Sequence, residues 1–108
     1  MVKQGDIIKL NLSPTSGHEQ SGYRPAVVVS NDFAIAKTNV VYIAPITNTA
    51  RYFPLHVALD ARTKTTGEIL CEQVKAVDLN ARQFTLVEQL PGDILEKVLT
   101  CVISCFDG

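Results

Sequence analysis

The sequence predicts a mainly β domain of the α+β class, in which short strands form a small curled antiparallel sheet or barrel, followed by one C-terminal helix. Runs rich in β-branched residues recur at close spacing between turns rich in Gly, Pro and Thr. Beyond Pro91, apolar residues instead recur every third and fourth position, as on one side of a helix. The 108 residues, 46% apolar and 19% charged, have the size and composition of one globular domain, and we expect a single domain over residues 1–108.

Six segments have the composition of strands. The first gives way at Pro14 to turn-forming residues, which open a loop that runs to about Tyr23. Pro25 introduces the second segment, whose β-branched residues predict a central strand. Pro45 lies inside the third and predicts a bulge or an edge there. The predicted strands comprise residues 6–12, 26–29, 40–46, 55–59, 68–72 and 74–77.

Helical signals occur at three places. Asn31 can cap a short helix that runs to Lys37, and residues 78–82 predict a helical turn. The C-terminal helix is predicted to start at residues 91–93, and its apolar residues cover about half of its circumference, wider than the ~100° stripe of an ordinary surface helix. That width leaves two explanations open: part of the helix is a subunit interface, or the helix lies deep against its own sheet.

Charge and hydropathy limit the classes of partner. Ten basic and eleven acidic residues give a formal charge of −1, so any site for a polyanion must be local. The first residues lack the apolar core of a signal peptide, and no apolar run approaches the ~20 residues that span a bilayer. We therefore expect a soluble, cytoplasmic protein with no membrane partner.

The cysteine pattern predicts neither a disulfide framework nor a redox motif, because Cys71, Cys101 and Cys105 form no CxxC pair. Cys101 and Cys105 share a helical face, but neither histidine is near them in sequence to complete a zinc site. We expect these cysteines to be reduced, buried and apolar in character. The sequence also lacks the common zinc, calcium, phosphate-loop, dinucleotide and serine-hydrolase motifs, so no cofactor and no metal are expected.

Polar residues at strand ends are the candidates for a functional site, because binding groups usually lie there. Arg24 could hold a phosphate or carboxylate with its planar guanidinium, or pair with Glu19 at the surface. His18 could serve as an acid or base near neutral pH, or could simply be solvated. Arg51 and Tyr52 offer a cation and a stacking ring to a nucleotide, or belong to a solvated loop. The remaining candidates are Gln20, Thr47, Glu72, Gln73 and Lys75, of which Thr47 could be a plain turn residue and Gln73 a solvent-facing strand position.

Three blocks of this sequence, in this order, resemble the MazF/PemK family of toxins, the ribonuclease components of bacterial toxin-antitoxin modules. The blocks are PTxGxEQxGxRPAVVVS at 14–30, APIT at 44–47 and EQVKxVDxxAR at 72–82. The predicted C-terminal helix also falls where the family has one. The resemblance covers nearly the whole chain.

The resemblance implies an SH3-like small β-barrel of the PemK/CcdB type, with a C-terminal amphipathic helix, that forms a homodimer. It also implies metal-independent, sequence-preferring cleavage of single-stranded RNA, with 2′,3′-cyclic phosphate and 5′-OH ends. A cognate antitoxin, MazE-like, would silence the activity, plausibly by laying a disordered segment along the RNA groove.

Site roles are carried over from the matching positions. Arg24 falls on the family's catalytic arginine and Thr47 on its catalytic threonine. Because arginine stays protonated, Arg24 is expected to stabilise the phosphorane rather than act as general base, while Thr47 hydrogen-bonds a phosphate oxygen. Glu19 and Gln20 are expected to shape the loop over the RNA, with Gln73 and Lys75 lining the groove.

Two positions depart from the family pattern. Ser13 stands where the family often has Asp, which concerns turn geometry. The PemK-like branch is expected to use an Arg-x-Asp pair together with the loop histidine, but this chain has Leu70-Cys71-Glu72. Glu72 and His18 therefore remain candidates for the general base, ranked behind Arg24 and Thr47 as catalytic residues.

Two other functions fit the same predicted fold. One is a non-catalytic toxin that acts by protein binding, as the CcdB toxins do on gyrase, since fold does not determine function. The presence of both Arg24 and Thr47 argues against it. The other is an SH3-like interaction module, which is disfavoured because its ligand pockets are aromatic-lined and this chain has three Tyr, four Phe and no Trp.

Overall fold

The computed structural model describes residues 2–12, 22–38, 40–49 and 53–107. Strands dominate this part of the chain, with one short helix in the first half and one longer helix at the end. The strands are β1 (Asp6–Asn11), β2 (Tyr23–Val28), β3 (Val40–Thr47), β4 (His56–Ala58), β5 (Glu68–Leu70), β6 (Lys75–Asp78) and β7 (Phe84–Gln89). The helices are α1 (Asp32–Lys37) and α2 (Gly92–Ser104), and a 3-10 turn spans Cys71–Gln73. The predicted α+β class is confirmed.

The strands form one antiparallel sheet in the order β4-β5-β3-β2-β1-β7. The long strand β3 pairs with β2 along one side, while on the other side its first half pairs with β6 and its end pairs with β5. Among the described residues, no ladder joins β7 to β4 or to β6, so their hydrogen bonds do not close the sheet into a complete barrel.

The two faces of the sheet carry two hydrophobic clusters, because successive side chains of a strand point to opposite faces. The first cluster includes Ile7, Val27 and Ala44 and lies under α2. The second includes Ile8, Ala26 and Ile43 from the alternate positions of the same strands, together with Ile35 of α1. The remaining residues of these strands can be assigned to one face or the other by the same alternation.

Helix α1 agrees with the sequence prediction in its start and its end. The Asn31 side chain accepts a hydrogen bond from the Ala34 backbone N–H at 2.8 Å, which satisfies one of the free donors of the first turn. Lys37 is the last helical residue.

Helix α2 runs over Gly92–Ser104, with Pro91 at the position before its first turn. Ile94 and Val98 are buried against the sheet, and further apolar residues of the helix are partly buried beside them. Near the C-terminus, Ile103 and Phe106 are 59% and 77% exposed. The wide apolar surface of this segment is therefore only partly used against its own sheet.

Several local predictions are corrected. Pro45 is not at an edge, because β3 is an internal strand. It lies between the residues of β3 that pair with β6 and those that pair with β5, so its missing backbone N–H leaves no ladder hydrogen bond unmade. The predicted strand 68–72 ends at Leu70 because the chain turns through the 3-10 segment there. Residues 78–82 form a turn closed by the Ala81 N–H and the Asp78 carbonyl, not a helical turn. Strand β7 was not predicted, and its mostly exposed side chains give it no alternating pattern.

The cysteines differ in burial. Cys71 is buried as predicted, whereas Cys101 is half-buried and Cys105, just beyond α2, is exposed. Burial raises the pKa of the Cys71 thiol to about 12, so this side chain stays a neutral, apolar group at physiological pH. All three are free thiols.

Candidate active site

Arg24 lies at the second position of β2, opposite Leu10 of β1, and is half-buried. Pro25 follows it and leads into the buried residues Ala26 to Val28, so the arginine stands where the strand leaves the core. The backbone beside its guanidinium is thus anchored by packing, which gives a charged side chain a defined position.

Thr47 is the last residue of β3 and is 3% exposed. Its hydroxyl lies 3.0 Å from the Thr49 hydroxyl and accepts a hydrogen bond from the Thr49 backbone N–H at 3.2 Å. Thr47 is paired with Glu68 of β5. The hydroxyl is therefore held by its neighbours and not free to rotate as it would be on a solvated turn.

Arg24 and Thr47 lie on the same face of two neighbouring strands. The β2–β3 ladder pairs Ala26 with Pro45 and Val28 with Ile43, and the same register carried two residues further sets Arg24 opposite Thr47. Directly opposed residues of an antiparallel pair share a face, with strands ~4.8 Å apart. Both side chains thus fall at the end of the face that carries the second hydrophobic cluster.

Gly67 fixes the backbone on the other side of Thr47. It has φ +116°, and a Cβ at this position would lie 2.5 Å from the Thr47 carbonyl oxygen. Only glycine allows this approach without displacement of one chain. The position of the candidate catalytic threonine therefore depends on a residue that carries no side chain.

The three predicted groove residues after β5 lie in the turn and strand that border β3. Glu72 and Gln73 belong to the 3-10 turn, Glu72 exposed and Gln73 half-buried, so Gln73 is not the strand residue that the sequence suggested. Lys75 opens β6 opposite Ile43, which places it on the same face as Thr47. Ile43 and Thr47 are four positions apart in β3, a distance of ~13 Å along the strand.

The structure adds one side chain that the sequence analysis missed. His56 of β4 has its Nδ1 3.2 Å from Glu68 Oε1 and its Nε2 2.9 Å from Glu72 Oε2. The imidazole is nearly buried and is also packed against the Phe53 ring, at 5.3 Å between centroids. A lone histidine within an apolar run gave no sign of this, because its partners are more than ten residues away in the chain.

Four of the predicted site residues lie outside the described residues. They are His18, Glu19, Gln20 and Arg51. The predicted Arg24–Glu19 pairing and the stacking at Tyr52 belong to the same segments. Their proposed roles remain predictions.

A second charged cluster lies on the other side of the sheet, near the start of α2. Arg62 bonds Asp60 and Asp93 at 2.9 Å and 2.8 Å, and these contacts lower the pKa of both carboxyls. All three residues line an open cleft of about 710 Å³ between β4 and α2. His56 also lines this cleft, so the cleft adjoins the candidate active site at β4, while α2 covers the face opposite to Arg24 and Thr47.

Within the described segments, no group of three or more His, Cys, Asp and Glu side chains has an arrangement that could hold a metal ion. In the same segments, no helix is long and apolar enough to cross a bilayer.

Comparison with protein families identifies the family of this chain. Residues 3–106 match the model of the PemK-like, MazF-like toxins of type II toxin-antitoxin systems. The chain belongs to this family.

Curated relatives and solved structures agree with that assignment. The chain is 34% identical to Endoribonuclease PemK of Escherichia coli, over 91% of this chain and 77% of the relative. It is 37% identical to Endoribonuclease toxin MazF of Escherichia coli K12, over 75% and 72%. The crystal structure of MazF from Deinococcus radiodurans superimposes with a TM-score of 0.89 at 30% identity, covering 97% of this chain and 96% of that one. A MazE-MazF structure from the same organism gives a TM-score of 0.84 at 27% identity, over 97% and 95%.

These comparisons bear on the hypotheses drawn from the sequence. The family resemblance and the fold expected from it are confirmed. Both relatives carry endoribonuclease names, which supports the ribonuclease hypothesis and not the CcdB-like alternative.

Proposed function

We propose that this chain is a metal-independent, sequence-preferring endoribonuclease that cleaves single-stranded RNA, and the toxin of a toxin-antitoxin system. Family membership and the endoribonuclease names of its relatives support this activity. The observation that carries the proposal is that Arg24 and Thr47 occupy the same face of neighbouring strands, each two residues beyond the end of the β2–β3 ladder.

The reaction is a transesterification within the RNA. The ribose 2′-OH loses its proton and its oxygen attacks the adjacent phosphorus, so that a new P–O2′ bond forms. The P–O5′ bond then breaks, and the leaving oxygen takes up a proton. The products are a 2′,3′-cyclic phosphate and a 5′-OH end, and no redox partner or water is consumed.

The protein has three tasks in this reaction: positioning the strand, moving two protons and stabilising the added negative charge. Arg24 supplies a permanent cation with several N–H donors for the phosphorane oxygens. Thr47 offers a hydroxyl to a phosphate oxygen. Because Thr47 is 3% exposed in the free protein, RNA binding must uncover this hydroxyl.

The neighbouring residues supply the remaining groups. Lys75 places a cation on the same face, at a distance suited to the phosphate of a neighbouring nucleotide. Glu72 and His18 are the candidates for the base that accepts the 2′-OH proton. Gln73, Glu19, Gln20 and Arg51 complete the proposed set of RNA contacts.

The exposed apolar side chains near the C-terminus support a homodimer, and a solved complex of a structural neighbour supports an antitoxin partner. Ile103 and Phe106 leave large apolar surfaces uncovered, and burial of such surface in a homodimer is favourable. A MazE-MazF complex has been solved for a structural neighbour, which supports a MazE-like antitoxin as the partner of this chain. We also propose that residues 1–108 act as one domain and that the protein works in the cytoplasm, where its mRNA substrate is found.

The test is incubation of the purified chain with a long unstructured RNA in excess EDTA, beside Arg24→Ala and Thr47→Val. We expect cuts at a recurring short sequence, cyclic phosphate at the new 3′ ends, and loss of the cuts in both variants. Circular dichroism of the variants confirms that they are folded.

Intact RNA with the folded native chain would refute the ribonuclease proposal and favour a toxin that acts by protein binding. Cleavage that disappears in EDTA and returns with a divalent cation would refute metal independence. Full activity of Arg24→Ala would refute the assigned role of Arg24.

A further inference from the structure

A nearly buried histidine connects two carboxylates beside the proposed RNA site. The His56 side chain is 9% exposed, while the side chains of Glu68 and Glu72 are 31% and 30% exposed. Each ring nitrogen lies within hydrogen-bond distance of a different carboxylate, at 3.2 Å and 2.9 Å. The histidine thus holds together two acidic groups from β5 and from the 3-10 turn.

Hydrogen-bond chemistry shows what this arrangement requires. A neutral imidazole has one N–H donor and an ionised carboxylate has none. The Nε2 contact with Glu72 is a hydrogen bond, and Nδ1 lies within ion-pair distance of Glu68. A ring protonated on both nitrogens would bring the summed charge of the three groups from two negative to one.

Strand register places this cluster next to Thr47. Glu68 is paired with Thr47 across the β3–β5 ladder, and its neighbour on β4 is Ala58. His56 is paired with Leu70, on the same face as Glu68 and two positions along the strand. Thr47, Glu68 and Ala58 therefore lie in one row across the sheet, with His56 two strand positions from that row on the same face.

We propose that His56 is a positioning residue for RNA binding: it holds Glu68 and Glu72 in place and offsets their charge, so that the phosphate backbone can pass Thr47. This inference rests on the proposed ribonuclease function. Two uncompensated carboxylates beside the groove would repel RNA phosphates, and the repulsion would be strongest at low ionic strength, where it is least screened.

The test substitution is His56→Phe, which keeps a ring against Phe53 but removes both ring nitrogens. We expect its KM for RNA to rise on the order of tenfold at low salt, as expected for one added partly screened charge. A matching fall in kcat would instead assign His56 to orienting Glu72 as the general base, since the two side chains are hydrogen-bonded. The ratio of variant to native KM should fall as salt is raised. A simple packing defect would give no such salt dependence.

A second substitution tests whether the effect passes through the carboxylates. In a His56→Phe/Glu68→Gln double variant one negative charge is removed, and we expect most of the KM increase to be lost. If the double variant keeps the full KM increase of His56→Phe, His56 does not act through Glu68 and the proposal fails.

Arg62→Gln is the matched control. Arg62 also bridges two carboxylates, Asp60 and Asp93, but on the face covered by α2. Measured at about 0.15 M salt, where the Debye length is ~8 Å, this variant should leave KM for RNA within about twofold of native. If His56→Phe does not fold, His56→Gln replaces it; glutamine cannot carry the positive charge, so the same KM increase is expected.

The experiment separates this proposal from the proposed function. Binding of a non-cleavable 2′-O-methyl RNA by native chain and variants is measured alongside cleavage. If the native chain binds RNA but does not cleave it, the ribonuclease proposal fails. The role of His56 in RNA binding is then still tested by comparing the Kd of His56→Phe with that of the native chain. An unchanged KM and Kd in folded His56→Phe, or a native chain that binds no RNA, would overturn the role of His56.

Discussion

Gly67 offers a direct test of how closely the fold and the site are coupled. At φ +116° a side chain is unfavourable, which costs about 1–3 kcal/mol for a non-glycine residue. In Gly67→Ala the new Cβ would also lie 2.5 Å from the Thr47 carbonyl oxygen and 2.8 Å from its carbonyl carbon. Backbone atoms must move to relieve this overlap, at a cost typical of overpacking, about 1–3 kcal/mol.

The two effects together predict a loss of about 2–6 kcal/mol in the free energy of unfolding, a large part of the roughly 5–15 kcal/mol of a typical domain. Urea denaturation of native chain and variant measures this loss. Since the displaced backbone is that of Thr47, kcat for RNA cleavage should fall as well in the fraction that remains folded.

Substitutions at two other glycines distinguish the cost of a positive φ from the cost of the overlap with Thr47. Gly22 has φ +85°, but a Cβ there meets no atom of the described residues within 4 Å, so Gly22→Ala should lose only about 1–2 kcal/mol. Gly92, at the start of α2, has neither a positive φ nor a close neighbour, and Gly92→Ala should be neutral or slightly stabilising. If Gly67→Ala costs no more than Gly22→Ala, the overlap with Thr47 does not restrain the backbone and the reasoning is wrong.

Three further predictions concern single side chains. Thr47→Val should lower kcat on the order of 100-fold while Thr47→Ser retains most of it, because the hydroxyl is the group proposed to hydrogen-bond a phosphate oxygen of the RNA; equal kcat in both variants would contradict this. Asn31→Ala should cost about 1 kcal/mol of unfolding free energy by removing the cap of α1, and Asn31→Asp, which can still accept the bond, should cost little; equal losses would argue against the cap. Burial of Glu88 disfavours its charge, but hydrogen bonds from Thr65 and Lys64 outweigh this and lower its pKa. The stability that this carboxylate contributes should therefore be present above its unfolded pKa, about 4.3, and be lost as pH falls through the lower folded value. In a plot of unfolding free energy against pH, Glu88→Gln should flatten this part of the curve. An unchanged curve would refute the assignment.

Local signals explain why both helices were predicted correctly. The cap at Asn31 and the three- and four-residue spacing beyond Pro91 act between residues close in the chain, so tertiary contacts did not override them. Most strands were located for the same reason. Strand β7 escaped because most of its residues are exposed on both faces, which removes the alternation that marks a half-buried strand.

The candidate site was predicted in part. Arg24, Thr47 and Lys75 were recognised by resemblance to the family, and the register of three strands shows that they share one face. Neither composition nor spacing could show this, because the shared face depends on which strands pair and in what register. His56 was missed for the same reason, since its two carboxylate partners come from elements further along the chain.

The sequence by itself determined the class of the fold, the helices and the family to which the chain belongs, because these follow from local periodicity, caps and motif order. Only the tertiary structure decided that Pro45 faces a gap between two strands, that Gly67 touches Thr47, and that a histidine joins Glu68 to Glu72. The physical reason is that each of these depends on strand register, a long-range choice in which a shift of one residue would move every side chain to the opposite face.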